Sequence, residues 1–135
     1  MSPIDAQNSD HISTKFFSPD HDNIQYSGRI DRTDAKTPKL ISAGAYIKLN
    51  FKGNNCTLLL SNQYEDPGYN YLSVELDGEY KGRVQVTKDQ AEYKIAKDLS
   101  DDTHTLLLCK ATEAENGFVG FRGVRCEDLL PISDL

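Results

Sequence analysis

The sequence predicts an all-β protein, an antiparallel β-sandwich of about eight or nine short strands. Three observations carry that reading. Apolar residues recur with period 2 almost everywhere after residue 23, as in Ala45, Ile47, Leu49 and Phe51. Turn residues fall between these runs at strand-like spacing, as in Lys52-Gly53-Asn54-Asn55, Asp77-Gly78 and Ser100-Asp101-Asp102. No segment carries a sustained apolar stripe of helical period.

The elements follow in order. Residues 1–22 are polar and read as an N-terminal arm, partly disordered, with Phe16 and Phe17 as packing residues near its end. The segment 23–128 reads as the sandwich, with jelly roll as the preferred topology. Ile24–Ile30 has strand composition, and Leu40-Ile41 suits a short strand after Pro38. Ala45–Phe51 alternates, and Cys56–Leu60 follows a four-residue turn, so the two read together as a hairpin. Leu72, Val74 and Leu76 share one face of the next strand. Asp77-Gly78 is the strongest hairpin signal, because glycine accepts the positive φ of a tight primed turn. Val84 and Val86 point inward on the return strand. Ala91, Tyr93 and Ile95 share a face, Thr103–Lys110 is apolar enough to be central, and Phe118–Cys126 reads as the last strand. Residues 129–135 read as a C-terminal tail.

Composition narrows the function. The chain has 135 residues, enough for one domain. Its 21 acidic against 15 basic residues give a net charge of −6, which argues against gripping a nucleic-acid backbone. No apolar run approaches the roughly 18 residues of a membrane span. The polar N-terminus lacks the apolar core of a signal peptide. Cys56, Cys109 and Cys126 are far apart with no Cys-x-x-Cys, so no zinc site is expected and buried free thiols are the leading reading.

Catalytic signals are weak. His11, His21 and His104 read as surface residues, although His104 lies near Ser100 and Asp101. No nucleophile motif occurs, and no catalytic residue is assigned. Asp31, Asp34, Glu113 and Glu115 are candidate paired carboxylates, but acidic loop residues of an acidic chain are usually solvated. No cofactor is expected. Structural calcium on Asp20, Asp22 and Asn23, with Glu65 and Asp66, is the one exception considered, and a solvated turn explains those residues better. Asn55-Cys56-Thr57 is a formal glycosylation sequon at a strand start. The loop between strands near residues 62–71 holds more. Asn62, Tyr64, Asp66, Tyr69, Asn70 and Tyr71 mix ring faces with hydrogen-bonding groups, which suits sugar binding and ordinary packing equally.

Several strings resemble the N-terminal domain of carbohydrate esterase family 2. They are Ile24-Gln25-Tyr26-Ser27-Gly28-Arg29-Ile30-Asp31, Ile47–Gly53, Tyr71–Gly78, the stretch from Asp102 through Lys110, Thr112 and Glu113 to Ala114, and Gly120-Phe121-x-Gly123. Their order and spacing cover about residues 16–128. The chain departs from the pattern at Ile41–Gly44, where an aromatic is usual, and at Ala111, where a basic residue is usual. The resemblance implies a jelly-roll, galactose-binding-like sandwich that precedes an SGNH/GDSL-type hydrolase domain. That domain holds the catalytic Ser and His and would begin where this sequence ends. The chain alone is then a non-catalytic module, with the hydrolase domain as partner and acetylated plant polysaccharide such as xylan or mannan as the parent's substrate. Secretion or a periplasmic location is implied too. The carried-over positions are Gly28, Arg29, Asp31, Lys110, Thr112 and Glu113. These suit the rim facing a partner domain, where Arg29 and Lys110 would pair with Asp31 and Glu113, or an internal salt-bridge cluster. A stand-alone carbohydrate-binding module using the Tyr-rich loop is the alternative.

Overall fold

Two facing antiparallel sheets share the strands of the computed structural model, which describes residues 14–63, 70–87, 89–113 and 117–132. The first sheet runs β3 (Ile30–Asp31), β4 (Lys39–Leu40), β11 (Phe118–Cys126), β6 (Cys56–Gln63) and β9 (Glu92–Ala96), with β1 (Lys15–Phe17) also on β11. The second runs β12 (Asp128–Leu130), β5 (Tyr46–Lys52), β10 (Thr103–Lys110), β7 (Asn70–Leu76) and β8 (Glu79–Val86), with β2 (Ile24–Ser27) also on β5. The chain is thus an all-β sandwich.

The alternating rows meet between the sheets. Ile47, Leu49 and Phe51 of β5 face inward, as do Leu58 and Leu60 of β6 and Leu106 and Leu108 of β10, each at most 1% exposed. Burying one such side chain stabilises the fold by about 1.5–3 kcal/mol before entropy is counted. As its composition suggests, β10 is central, hydrogen-bonded to β5 on one side and β7 on the other. Asp77 and Gly78, at φ 54° and 83°, form the tight turn of the β7–β8 hairpin.

Four details differ from the sequence reading. Ala45–Phe51 and Cys56–Leu60 are not a hairpin, because β5 and β6 lie in different sheets. The turn at Gly53 carries the chain across the sandwich instead. Alternation reports which side chains face inward but not which strand lies alongside. Second, the run Ile24–Ile30 breaks at Gly28. Its φ is +90°, and a Cβ there would stand 2.8 Å from the Cα of Ala45. Only glycine fits, and the chain leaves the second sheet there for the first. Third, Phe118–Cys126 is not the last strand: Leu129 and Leu130 of the segment read as a tail belong to β12, paired with Phe51 and Asn50 of β5. Together with β1, formed by the end of the arm, these changes raise the strand count from nine to twelve. Fourth, in β9 the buried residues are Tyr93 and Ala96, while Ala91 is exposed. The ladder between β6 and β9 slips between Cys56 and Thr57, which moves the inward row by one position.

Candidate functional site at the Lys110 end

Period 2 places polar residues at the ends of three apolar rows. Leu58 and Leu60 continue to Asn62, Leu72 is preceded by Asn70, and Leu106 and Leu108 continue to Lys110. All three polar side chains are therefore turned inward, and Lys110 is only 1% exposed. They meet where β6 ends, β7 begins and β10 ends.

A single hydrogen-bonded chain links them. The Lys110 ammonium donates to the carbonyls of Thr112 at 2.6 Å and Glu113 at 3.0 Å. The Thr112 hydroxyl donates to Asn70 Oδ1 at 2.5 Å, and Asn70 Nδ2 donates to Asn62 Oδ1 at 2.8 Å. Among the described residues Asn62 Nδ2 has no partner. Burial pushes the Lys110 ammonium below its ordinary range, and the charge of Glu113 opposes that only in part. Main-chain bonds close the same end: Gly44 N donates to Lys110 O, Lys110 N to Ala45 O, and Ala111 N to Tyr71 O. On the outer row Tyr71 is half-buried, with the Arg83 guanidinium 4.7 Å above its ring.

The structure thus joins two groups that the sequence treated separately. Asn62 and Tyr71, from the loop considered for sugar binding, stand beside Lys110, Thr112 and Glu113, from the rim candidates. Tyr64, Asp66 and Tyr69 lie outside the described residues. Arg29 is exposed near this end and its carbonyl accepts from Ile41 N at 3.0 Å. Asp31 is on the edge strand β3 of the first sheet. Its Oδ1 accepts the amide of Thr33 at 2.9 Å, and hydrogen bonds from Thr33 hold the carboxyl below its usual range.

The expected pairing of Arg29 and Lys110 with Asp31 and Glu113 does not form. Ion pairs among the described residues join Lys36 to Asp20, Lys52 to Asp101 and Glu127, Lys81 to Glu79, Arg125 to Glu92 and His104 to Asp77. Lys110 sits on an inward row, so its ammonium meets carbonyls at the core's edge. Asp31 is engaged by its own turn.

His104 also departs from its reading as a surface residue. It opens the inward row of β10 and is buried. Its Nδ1 lies 2.7 Å from Asp77 Oδ2 and its Nε2 lies 2.9 Å from the Ser100 carbonyl. Both partners can accept from a proton-bearing ring nitrogen, and against burial the Ser100 carbonyl and the Asp77 carboxylate together raise the ring's pKa above the ordinary histidine value. The signal was available two positions before Leu106. The partner, Asp77, is far away in sequence and only strand register brings it near.

Of the residues considered for calcium, Asp20 and Asp22 line a cleft of about 300 Å³ between Pro19 and Pro38, with His21, Tyr26 and Arg32, while Glu65 and Asp66 lie outside the described residues. Asp20 pairs with Lys36 at 3.2 Å, and His21 Nδ1 accepts the amide of Asn23 at 3.0 Å. Tyr26 donates to the Pro19 carbonyl at 2.7 Å, and its ring lies 4.7 Å from the Arg32 guanidinium. No three His, Cys, Asp or Glu side chains among the described residues are grouped to hold a metal ion.

Three comparisons place this fold among known proteins. The family model for the N-terminal domain of carbohydrate esterase 2 matches residues 26–132. The cellulase/esterase CelE of Acetivibrio thermocellus is 32% identical over 108 residues, which are 78% of this chain and 13% of that relative. The chain therefore spans a small part of the curated relative it matches. A family two carbohydrate esterase from Clostridium thermocellum, solved in complex with cellohexaose, superposes with a TM-score of 0.72 at 29% identity, covering 82% of this chain and 34% of that one. A family two carbohydrate esterase from Cellvibrio japonicus shares the fold, with a TM-score of 0.79 at 16% identity over 90% of this chain and 36% of that one.

Proposed function

The chain belongs to the N-terminal domains of carbohydrate esterase family 2, and from that premise we propose that it is a non-catalytic sandwich module supporting an SGNH-type hydrolase domain. One observation carries the reading: the Lys110 chain spends its hydrogen bonds on holding structure. Lys110 fixes the turn at Thr112 and Glu113, and Thr112 and the two asparagines tie that turn to the start of β7 and the end of β6. At this braced end β6 stops at Gln63, β7 starts at Asn70, and Thr112 and Glu113 follow β10. A rigid base for loops is what a partner domain needs from a support. Arg29 and Glu113, both exposed there, are the charges we assign to the rim. Asp31, Lys110 and Thr112 act behind it. The parent protein is then an extracellular or periplasmic acetylesterase acting on plant polysaccharide.

The chain alone is expected to hydrolyse p-nitrophenyl acetate no faster than buffer. Turnover abolished by replacing a single Ser or His would overturn the module reading. In an esterase carrying both domains, Arg29→Glu with Glu113→Lys is expected to loosen their association, read as separate melting transitions.

A second reading rests on the cellohexaose bound to the Clostridium thermocellum relative. It makes the Tyr64–Tyr71 loop a sugar site, using Asn62, Tyr64, Asp66, Tyr69 and Tyr71. Titration with cello-, xylo- and manno-oligosaccharides tests it, and binding left unchanged by Tyr71→Ala and Tyr69→Ala would remove the loop from consideration.

A further inference from the structure

Two of the three cysteines stand at the ends of neighbouring strands of the first sheet. Cys56 opens β6 and Cys126 closes β11. The ladder between these strands pairs Leu58 with Val124 and Thr57 with Arg125, so its next rung sets Cys56 against Cys126. Leu58 and Val124 are inward and buried, while Thr57 and Arg125 are outward, so the period of 2 turns both cysteines into the core. Both are fully buried. Directly opposed residues of an antiparallel pair have Cα atoms about 4.5–5.5 Å apart. A disulfide needs about 4.4–6.8 Å, with both Cβ atoms on one side. The thiols also influence each other: burial raises the Cys56 thiol, and Cys126 raises it further. Cys126 is pushed up to about 12, chiefly by burial. Cys109 lies on the outward row of β10 in the other sheet and faces neither.

We propose that Cys56 and Cys126, free thiols in this structure, are a preset disulfide site that closes when the protein folds in an oxidising compartment. The oxidant is a small-molecule or protein disulfide. One cysteine thiolate attacks it, forms a mixed disulfide and releases one reduced thiol. The second cysteine thiolate then displaces the other half. Two electrons and two protons pass from the pair to the oxidant, which leaves as two thiols. Thiols this deeply buried are poor nucleophiles, so the bond forms before the strand ends close. Once formed, it ties the start of β6 to the end of β11. The loop it closes holds β7 to β10, which makes the constraint on the unfolded chain large.

The protein is unfolded and reduced, then refolded in parallel with oxidised glutathione and with dithiothreitol. It is alkylated under denaturing conditions and mapped by mass spectrometry. In the oxidised sample only Cys109 is expected to be alkylated, with the peptides holding Cys56 and Cys126 joined and lighter by two hydrogens. The oxidised form should melt about 5–15 °C above the reduced form. Cys109→Ser should keep the bond, and Cys126→Val should leave Cys56 open to alkylation. Three alkylated thiols after oxidative refolding, or a linkage through Cys109, would overturn the pairing. An oxidised form no more stable than the reduced one would overturn its role as a clamp.

Discussion

Strand β10 buries a basic side chain at each of its ends, and the two ends handle it differently. At the start, His104 is held between the Asp77 carboxylate and the Ser100 carbonyl. At the finish, Lys110 meets only carbonyl dipoles, with the carboxylate of Glu113 beyond ion-pair reach. The titrations diverge accordingly. Burial alone would depress His104, but the Ser100 carbonyl and the Asp77 carboxylate more than offset it, and its pKa is raised. Burial also depresses Lys110, and there nothing offsets it fully. Two carbonyl dipoles do not replace the solvation that a buried ammonium loses, whereas a carboxylate and a carbonyl do so for an imidazolium. The His104 end gains stability from the Asp77 carboxylate when the ring is protonated. The Lys110 end is a brace kept at some cost in stability.

The largest expected effect breaks the brace. Lys110→Ala removes a fully buried stem and strands the Thr112 and Glu113 carbonyls, and should cost about 3 kcal/mol in urea unfolding. Lys110→Met keeps the stem but leaves the same two carbonyls without the ammonium while removing a costly buried charge, so it should cost less, about 1 kcal/mol. If the two variants were equally destabilised, the ammonium and not the packing would dominate this end, and the contrast with His104 would disappear.

The ion pair at the other end is broken by pH and by Asp77→Asn. A raised His104 pKa gives stability that is fully present below the ordinary histidine value near 6.5 and is lost as pH rises through the folded value. Asp77 has the opposite sign. Burial would raise its pKa, but hydrogen bonds from His104 and the Thr105 amide hold it below its ordinary range. Its contribution is present above about pH 4 and is lost as acid reaches the lowered value. The urea midpoint should therefore fall between about pH 6 and pH 9. Asp77→Asn retains the acceptor for Thr105 and tolerates φ 54°, so it should remove mainly the charge. A loss of about 1–2 kcal/mol near pH 6, shrinking towards pH 9, is expected. Parallel midpoint curves for wild type and variant would show that the pair contributes nothing.

The two ends also differ in how legible they were in the sequence. The alternation through Leu106, Leu108 and Lys110 marks the lysine as inward, and a reader who trusts period 2 can predict its burial. The carbonyls that satisfy it lie just beyond it in sequence, a local arrangement. His104 carries the same inward mark, but its partner Asp77 sits in another hairpin. The register between β7 and β10 that joins them is not written in either strand. The same limit explains the false hairpin at Gly53. Turn chemistry fixed that the chain reverses, while the choice of sheet depends on packing across the core. Gly28 is intermediate: its place in a strand-like run hinted at a break, but the close Ala45 backbone that forbids a side chain is a tertiary fact.

The smallest effect asks whether the brace acts as a unit. Thr112→Val keeps the carbonyl that Lys110 uses and removes only the hydroxyl bonded to Asn70 Oδ1. A neutral hydrogen bond is worth about 1 kcal/mol. In an independent set of contacts Thr112→Val would add that amount to the Lys110→Met loss. If the Lys110–Thr112–Asn70–Asn62 chain is cooperative, each change already slackens the turn at 112–113, and the double variant should lose less than the sum. A double-variant cycle in urea measures the difference directly. Strict additivity would mean that the amides at 62 and 70 are held by strands β6 and β7 alone, leaving Lys110 to fix its own turn and nothing further.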